Sequence, residues 1–328
     1  MAYKISVIIP VYNVEKYIER CAKSLFGQTF SSIEYIFVND CTSDNSLELL
    51  KRVVLSYPNR AKDIVYISHD SNKGLPTARN SGLSIARGEY LFHFDSDDWA
   101  DREMFEMMYL AAQKNEADIV YTDWYLSYQK KERYMSQPHF NTSEDCLRGI
   151  LCGRMKYNVW NKLIRKDLYS KYQICFPDGL GMGEDMAMIK FFCHSAKIFH
   201  LKEAFYHYGQ VNTNAYTKIV SDQYLDQIYF NANKTIDYIH TVLGTKALEK
   251  EIHLFRLTVK LPLLISSQKE MYEVWLKWFP DSNEYIKQNN AFPFRIRCIQ
   301  YAAIKRQYWF IQLYYYVFVK FVYGIIYR

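Results

Sequence analysis

Three carboxylates that follow a short aromatic-rich segment offer the clearest chemistry in the sequence. Asp95, Asp97 and Asp98 come directly after residues 89–94. Carboxylate oxygens are preferred ligands of Mg²⁺ and Mn²⁺, which proteins often share with the phosphates of a substrate. The same residues would equally suit a solvated turn, in which Asp98 or Asp101 caps the helix that follows. The local pattern leaves both interpretations open.

The polar residues 39–46, NDCTSDNS, follow another apolar segment. At the carboxyl end of a strand, such side chains can hydrogen-bond a base or a ribose, and Asp40 can accept from a ring N–H. Thr42, Ser43 or Asp44 can instead cap the next helix, and spacing alone favours capping.

The first apolar segment, residues 3–12, ends without a glycine. Pro10, Val11, Tyr12 and Asn13 stand where a GxGxxG fingerprint or a P-loop would begin. Their presence excludes the common oxidoreductases and nucleoside triphosphatases with an α/β sheet. It also argues against a sugar-nucleotide pyrophosphorylase, because that class has a glycine-rich phosphate loop after its first strand.

Two further positions carry charges that could act on a substrate. Arg79 lies in a predicted helix, where its fork of N–H donors could meet a pyrophosphate or pair with a carboxylate on an exposed face. Glu184 and Asp185 precede an apolar helix. The helix dipole accounts for carboxylates in a first turn and is the favoured explanation, whereas a general base is the alternative.

The histidines and cysteines show no paired metal motif. Eight His and seven Cys are scattered without HExxH or CxxC spacing. His207 follows a strand-like segment and is expected either to pack among aromatic side chains or to reach a metal. An odd number of cysteines suits free thiols in a reducing compartment.

The spacing of apolar segments predicts how these side chains are brought together. Short strand-like segments alternate with helix-like ones, which is typical of a parallel sheet covered on both faces. The predicted strands are residues 3–12, 33–39, 63–67, 89–94 and 117–122, and the predicted helices are residues 14–27, 44–57, 74–86 and 101–116. Residues 1–122 therefore predict an open α/β sheet that binds ligands at the carboxyl ends of its strands.

Composition and charge narrow the class of protein. With 328 residues, 49% hydrophobic and 23% charged, the chain is not disordered, collagen-like or a disulfide scaffold. The net charge of +6 is concentrated at the end, since seven basic and no acidic residues occur from Lys287 onward. A neutral body argues against nucleic-acid binding, and a cationic tail favours an anionic surface. The first residues lack a secretion signal, so a cytoplasmic location is expected.

The aromatic residues 307–327 have the length of a membrane-spanning helix. Lys320 would lie inside such a span, however, and Trp and Tyr prefer the headgroup level of a bilayer. An interfacial aromatic and basic helix is therefore favoured. A buried helix of the core or of an oligomer, and a true span, are the alternatives.

Four segments, taken together, resemble the family 2 glycosyltransferases of the GT-A fold. In chain order they are SVIIPVYNVEKYIERCAKSLFGQTF, IEYIFVNDCTSDNS, NKGLPTARNSGLSIARGEYLFHFDSDDW and GEDM. The match is close over residues 4–125 and looser over residues 140–210. The resemblance implies a nucleotide-sugar donor, here expected to be a UDP-sugar, together with Mn²⁺ or Mg²⁺ and usually inversion at the anomeric carbon.

The resemblance also implies the residues of the donor site. The nucleotide-sugar would be bound by Pro10, Tyr12, Asn13, Asp40, Arg79, Asp95 and Ser96. Of these, Asp40 would contact the base and Asp95 would face the ribose or the sugar. Asp97 would ligate the metal that bridges the diphosphate, with His207 as a further ligand.

On the acceptor side, the resemblance implies that Asp185 is the general base and that Glu184 orients the sugar or the acceptor. A carboxylate opposite the leaving group can serve as the base for in-line attack. The chain departs from the family pattern at Asn39-Asp40-Cys41, where Asp-Asp-Gly is usual. It also departs at residues 206–214, where many relatives have an aromatic pair followed by Arg.

These observations predict two regions. Residues 1–218 would form a GT-A domain, with a nucleotide-sugar half over residues 1–125 and an acceptor half over residues 126–218. Residues 219–328 would form a helical region.

The predicted function is metal-dependent, inverting transfer of a sugar to a glycan or lipid-linked acceptor in cell-surface polysaccharide synthesis. The enzyme would lie at the inner face of the cytoplasmic membrane, which residues 291–328 would contact. One alternative is a catalytically degenerate subunit of a membrane assembly. Another is a phosphotransferase with Asp95 as nucleophile and Asp97 as acid.

Overall fold

The computed structural model describes residues 3–210 and 222–323 and groups the chain into two compact units. The first comprises Met1–Ser143 and Tyr157–Gln227, and the second comprises Glu144–Lys156 and Ile228–Arg328. The boundary predicted at residues 218 and 219 falls on residues 211–221, which lie outside the described residues. Residues 144–156, predicted within the acceptor half, group with the C-terminal helices instead.

A mixed sheet forms the centre of the first unit. In the described part of the chain its strands are β1 (Ile5–Val11), β2 (Ile33–Asn39), β3 (Ile64–Ser68), β4 (Tyr90–His93), β5 (Trp99–Ala100), β6 (Ile119–Ser127), β7 (Glu132–Met135), β8 (Lys162–Arg165) and β9 (Ile198–Gly209). Their order is β3-β2-β1-β4-β8-β6-β9-β5, with β7 paired to β6. Strands β1 to β4 pair in parallel, as do β6 and β9, and the remaining pairs are antiparallel.

The α/β alternation predicted for residues 1–122 is confirmed. The helices of this part are α1 (Ile18–Phe26), α2 (Ser46–Leu55), α3 (Leu75–Ile85) and α4 (Met104–Lys114), followed by α5 (Ser143–Leu151), α6 (Lys166–Tyr172) and α7 (Ala187–Phe192). Every residue of β1 is buried, as expected for a strand covered on both faces. The parallel strands β1, β2 and β4 therefore bring their carboxyl ends to one edge of the sheet.

Helix α3 packs closely on the sheet because of a glycine. A Cβ atom at Gly82 would come within 2.4 Å of the Ile8 side chain in β1. A larger residue could not occupy this position without displacing the helix. The contact fixes α3, which carries Arg79, against the strand that leads to the candidate site.

The predicted helical character of the C-terminal region is confirmed. Its helices are α8 (Asp222–Leu243), α9 (Glu249–Lys260), α10 (Lys269–Lys277), α11 (Phe294–Ile304) and α12 (Tyr308–Tyr314), and π-helical residues Tyr315–Tyr323 follow. Short 3₁₀ helices cover Pro58–Asp63, Glu184–Met186, Leu261–Leu264 and Pro280–Gln288. Over residues 3–210 and 222–323, no helix has the length and apolar character needed to cross a membrane.

Candidate active site

Hydrogen bonds join the loops after β1 and β2 at the carboxyl edge of the sheet. The Thr42 hydroxyl accepts from the Asn13 backbone N–H at 2.8 Å, and the Ser43 hydroxyl donates to the Asn13 side chain at 3.3 Å. Pro10 is buried in β1, whereas Tyr12 is 47% exposed. The junction therefore offers an aromatic ring and polar groups to a ligand.

Asn39, Cys41 and Asp44 shape the loop after β2. The Asn39 side chain accepts from the Thr42 backbone N–H at 2.9 Å, which an aspartate could equally do. Cys41 has a left-handed backbone, with φ of 58°, at the position where the family usually has glycine. Asp44 accepts from the first N–H of α2, that of Ser46, at 3.0 Å, so the capping interpretation applies to Asp44.

Asp40 is almost fully buried and binds the segment that precedes α3. Its carboxylate accepts from the backbone N–H groups of Lys73 and Gly74, both at 2.8 Å. The ring of His69 lies 2.7 Å from the same carboxylate and 2.9 Å from the Ser81 hydroxyl on α3. Asp40 thus fixes the entry of α3. Sequence patterns did not point to His69. This residue directly follows β3 and therefore lies at the carboxyl edge of the sheet.

Arg79 brings together two motifs that are distant in sequence. Its Nη2 atom lies 2.9 Å from the Asp95 carboxylate and 3.6 Å from that of Glu184. The side chain is 1% exposed, so the predicted pairing with a carboxylate occurs in the interior and not on an exposed face. Among the described residues, its Nε and Nη1 atoms have no hydrogen-bond partner. The guanidinium therefore links the acidic loop after β4 to the Glu184–Asp185 turn.

Asp98 is an internal group of the acidic loop. Its carboxylate accepts from the Tyr206 hydroxyl at 2.6 Å and from the Gly209 backbone N–H at 2.7 Å. Burial, with the neighbouring carboxylates of Asp97 and Asp95, raises the pKa of Asp98 well above its usual range. The proposed capping role is wrong, because α4 begins at Met104 and has no side-chain cap.

Asp97 stands in the acidic loop between Asp95 and Asp98, and its backbone carbonyl accepts from the Arg20 guanidinium at 3.1 Å. Asp95 is paired with Arg79, and Asp98 is engaged by Tyr206 and Gly209. In the described part of the chain, no group of three or more His, Cys, Asp or Glu could hold a metal by itself. One or two carboxylates completed by phosphate oxygens are nevertheless a common Mg²⁺ site. The carboxylates of this loop, completed by phosphate oxygens, therefore fit a divalent cation that binds together with a diphosphate.

The structure does not support His207 as a metal ligand. One ring nitrogen lies 2.7 Å from the Glu132 carboxylate and the other 3.3 Å from that of Asp101. The ring stacks between Trp99 and Tyr125, with centroids at 5.0 and 4.9 Å. Both nitrogens are engaged, so His207 follows the other interpretation, that of a histidine packed among aromatic residues.

Glu184 and Asp185 form an acidic turn in which Glu184 is buried and Asp185 is half-buried. Burial raises the pKa of Glu184 to about 8 and that of Asp185 to about 6. The Arg79 charge opposes burial and lowers both pKa values. Lys162 also lowers the pKa of Asp185. Because the pKa of Glu184 is raised further, Asp185 is the stronger acid of the pair and Glu184 is the residue that keeps its proton to higher pH. This combination supplies one proton acceptor and one hydrogen-bond donor.

Residues 159–163 support the site through a buried lysine and a stacked tryptophan. The Lys162 ammonium is buried and donates to the Asn158 carbonyl at 2.7 Å and to the Asn161 side chain at 2.8 Å. Trp160 stacks on Tyr206, the residue that binds Asp98, with centroids 4.7 Å apart. This segment therefore supports the acidic loop through Tyr206 and places a cation near Asp185.

The sequence is similar to those of known glycosyltransferases. The family model described as Glycosyl transferase family 2 matches residues 6–187. A protein named uncharacterized glycosyltransferase EpsJ, from Bacillus subtilis (strain 168), is 30% identical over 276 residues, covering 80% of this chain and 77% of its own.

Two solved structures share the fold. That of S. aureus TarS 1-349 in complex with UDP-GlcNAc has a TM-score of 0.70 at 19% identity and covers 95% of this chain and 91% of its own. That of mannosyltransferase PcManGT from Pyrobaculum calidifontis, in complex with GDP-Man and Mn²⁺, has a TM-score of 0.53 at 12% identity. It covers 99% of this chain and 88% of its own.

Proposed function

The chain belongs to glycosyl transferase family 2, and we propose that it is a metal-dependent, inverting glycosyltransferase with a UDP-sugar as donor. The observation that carries the proposal is the Asp95–Arg79–Glu184 link at the carboxyl edge of the sheet. It joins the acidic loop, suited to a donor diphosphate, to the turn that supplies a base. The family assignment excludes the alternative of an aspartate-based phosphotransferase.

On the donor side, we propose the binding residues inferred from the resemblance, namely Pro10, Tyr12, Asn13, Asp40, Arg79, Asp95 and Ser96. The UDP-GlcNAc complex of TarS supports a UDP-sugar. Tyr12 is exposed enough to stack on a base. Asp40 fixes the segment that precedes α3 by accepting from the Lys73 backbone N–H. Arg79 has two N–H-bearing atoms without partners among the described residues, which suits a polar ligand.

On the acceptor side, Asp185 accepts the proton of the acceptor hydroxyl while the oxygen attacks the anomeric carbon. The bond from that carbon to the diphosphate breaks on the opposite face, so the configuration inverts. Glu184, which keeps its proton to higher pH than Asp185, can donate a hydrogen bond to the sugar or the acceptor. No covalent intermediate with the protein is needed.

Asp97 would hold Mn²⁺ or Mg²⁺ together with the donor diphosphate. The cation, when bound, neutralises charge on the leaving group. We therefore expect Asp97→Asn to lower UDP affinity in Mn²⁺ to the level measured in EDTA, because a neutral amide is a weaker ligand than a carboxylate for a hard divalent cation. Isothermal titration calorimetry tests this, with Asp226→Asn on the exposed face of α8 as the matched control. Unchanged affinity in saturating Mn²⁺ would rule out Asp97 as the ligand.

The proposed base also predicts a pH dependence. Burial raises the pKa of Asp185 to about 6, against the opposing charges of Arg79 and Lys162. Below that pH the carboxyl is protonated and cannot accept a proton. We expect kcat/KM to fall about tenfold per pH unit below about pH 6 and to level off above it. A profile that stays flat down to pH 5 would contradict this role for Asp185.

We further propose that the acceptor is a glycan or a lipid-linked glycan of the cell surface, and that the enzyme works at the inner face of the cytoplasmic membrane. Residues 291–328 are the proposed contact, and of these the structure describes residues 291–323. Five apolar side chains of the described part of this stretch are at least half exposed, namely Phe294, Trp309, Leu313, Tyr316 and Phe321. With the basic residues of the tail, they provide the aromatic and cationic character that an anionic lipid surface attracts.

Co-sedimentation with anionic liposomes tests this contact. We expect Trp309→Ser to reduce the bound fraction severalfold, because Trp309 is 65% exposed and indole favours the headgroup level. Leu55→Ser in α2 is the control, since Leu55 is 81% exposed and lies in the first unit. Equal loss of binding in both variants, or no loss in either, would contradict the proposed surface.

A further inference from the structure

Asn80, next to Arg79 on α3, binds a remote segment through its whole side-chain amide. Its Nδ2 donates to the Phe176 carbonyl at 2.9 Å and to the Asp178 carboxylate at 2.7 Å. Its Oδ1 accepts from the Phe176 backbone N–H at 3.0 Å. The amide thus pairs with both backbone groups of one residue, as a neighbouring strand would.

The segment after this attachment is a glycine-rich loop. Residues 177–183 contain three glycines, and Gly179 and Gly183 both have left-handed backbones, with φ of 71° and 80°. Glycine has more backbone freedom than any other residue, so such a segment depends on external contacts for its position. Its attachments decide where the following Glu184 and Asp185 lie.

Asn80 itself is held on a rigid support. Helix α3 packs on β1 through the close contact of Gly82 with Ile8. The Phe176 ring packs against His93 of β4 with centroids 4.8 Å apart. The amide therefore connects the sheet, through α3, to the start of the glycine-rich segment.

We infer that Asn80 is a positioning residue of the transfer reaction, which sets the place of the Glu184–Asp185 turn by tying Phe176 and Asp178 to α3. The inference rests on the proposed function, because it assigns the base to this turn. Asn80 is not among the residues proposed to contact the donor. Its loss should therefore affect the rate of transfer and leave donor affinity unchanged.

The first test replaces Asn80 by Ala. A misplacement of about 1 Å can cost about a hundredfold in rate, and we expect a loss of kcat of that order. The dissociation constant of UDP should stay within about twofold of wild type, since the donor contacts are intact. Hydrogen exchange of residues 176–185 should become faster. Ser84→Ala is the control on the same helix, since the Ser84 hydroxyl donates to the Ser81 carbonyl within α3.

A double-mutant cycle tests whether the contact between residues 80 and 178 is coupled to the transfer rate. Asn80→Asp keeps the acceptor for the Phe176 N–H but puts a second carboxylate against Asp178. Asp178→Asn supplies an N–H donor in exchange, so the double variant should recover part of the kcat that Asn80→Asp loses. Independent effects of the two substitutions predict no recovery.

Wild-type kcat in Asn80→Ala, or a loss of UDP affinity in step with kcat, would overturn the inference. An additive double-mutant cycle would do the same. Absence of transfer by the wild-type protein in the same assay would count against the proposed function instead. In that event, unchanged hydrogen exchange of residues 176–185 in Asn80→Ala would still overturn the inference.

Discussion

Replacing Asp185 by Asn is expected to lower kcat about a thousandfold while UDP-sugar binding persists. The amide cannot accept the proton of the acceptor hydroxyl, and general-base catalysis typically contributes 10²–10⁴-fold. The residues proposed to contact the donor lie outside the Glu184–Asp185 turn, so the dissociation constant of the donor should change little. Transfer rates and calorimetric donor binding, measured on the same preparation, check both parts of the expectation.

The matched control for this variant is Asp167→Asn, which changes an exposed aspartate in the first turn of α6. It should transfer at the wild-type rate. The Asp185 variant should also lose the acid limb of the pH profile, because the group that titrates there is removed. Turnover near the wild-type rate in Asp185→Asn would show that another residue is the base.

Replacing Arg79 by Met is expected to cost about 3 kcal/mol of stability, the lower end of the range for removing one partner of a buried ion pair. Met retains much of the buried apolar contact but leaves Asp95 and Glu184 without their cation. Transfer should fall as well, since the link between the acidic loop and the base turn is lost. Urea unfolding and the pH profile of the residual activity measure the two effects.

The pH profile distinguishes this explanation from a simple packing defect. The Arg79 charge lowers the pKa of both Glu184 and Asp185, so its removal should move the acid limb to higher pH. Arg79→Lys keeps the charge and should keep the limb near its wild-type position, although one ammonium cannot replace the fork geometry. Arg52→Met, on the exposed side of α2, is the control. An unshifted limb in Arg79→Met would contradict the proposed electrostatic link.

The fold of the first 122 residues was predictable because its signals are local. Short strand-like segments alternate along the chain with helix-like ones. The position of Asp40 and Asp95 at the carboxyl edge of the sheet follows from that alternation alone. The resemblance then implied the roles of Asp185 as general base and of Glu184 as an orienting residue. The positions of both residues depend on tertiary contacts.

The tertiary partners of the site were not predictable in the same way. The burial of Arg79 depends on Asp95 and Glu184, which are 16 and 105 residues away in sequence. Asp98 looks like a solvated turn residue until Tyr206, far along the chain, covers it. His207 could be a ligand or a packed histidine by sequence, and only the positions of Glu132 and Asp101 favour the second. Propensity and periodicity contain no information about such long-range pairs.

Donor binding by the whole 328-residue chain tests most directly whether the protein uses a UDP-sugar together with a divalent cation. UDP-, GDP- and dTDP-sugars would be titrated calorimetrically in Mn²⁺ and again in EDTA, with slow release of nucleotide followed in parallel. We expect a UDP-sugar to bind and to be slowly hydrolysed in Mn²⁺, and both binding and hydrolysis to be lost in EDTA. Absence of binding across the whole panel in both conditions would contradict this expectation and would favour a catalytically degenerate subunit.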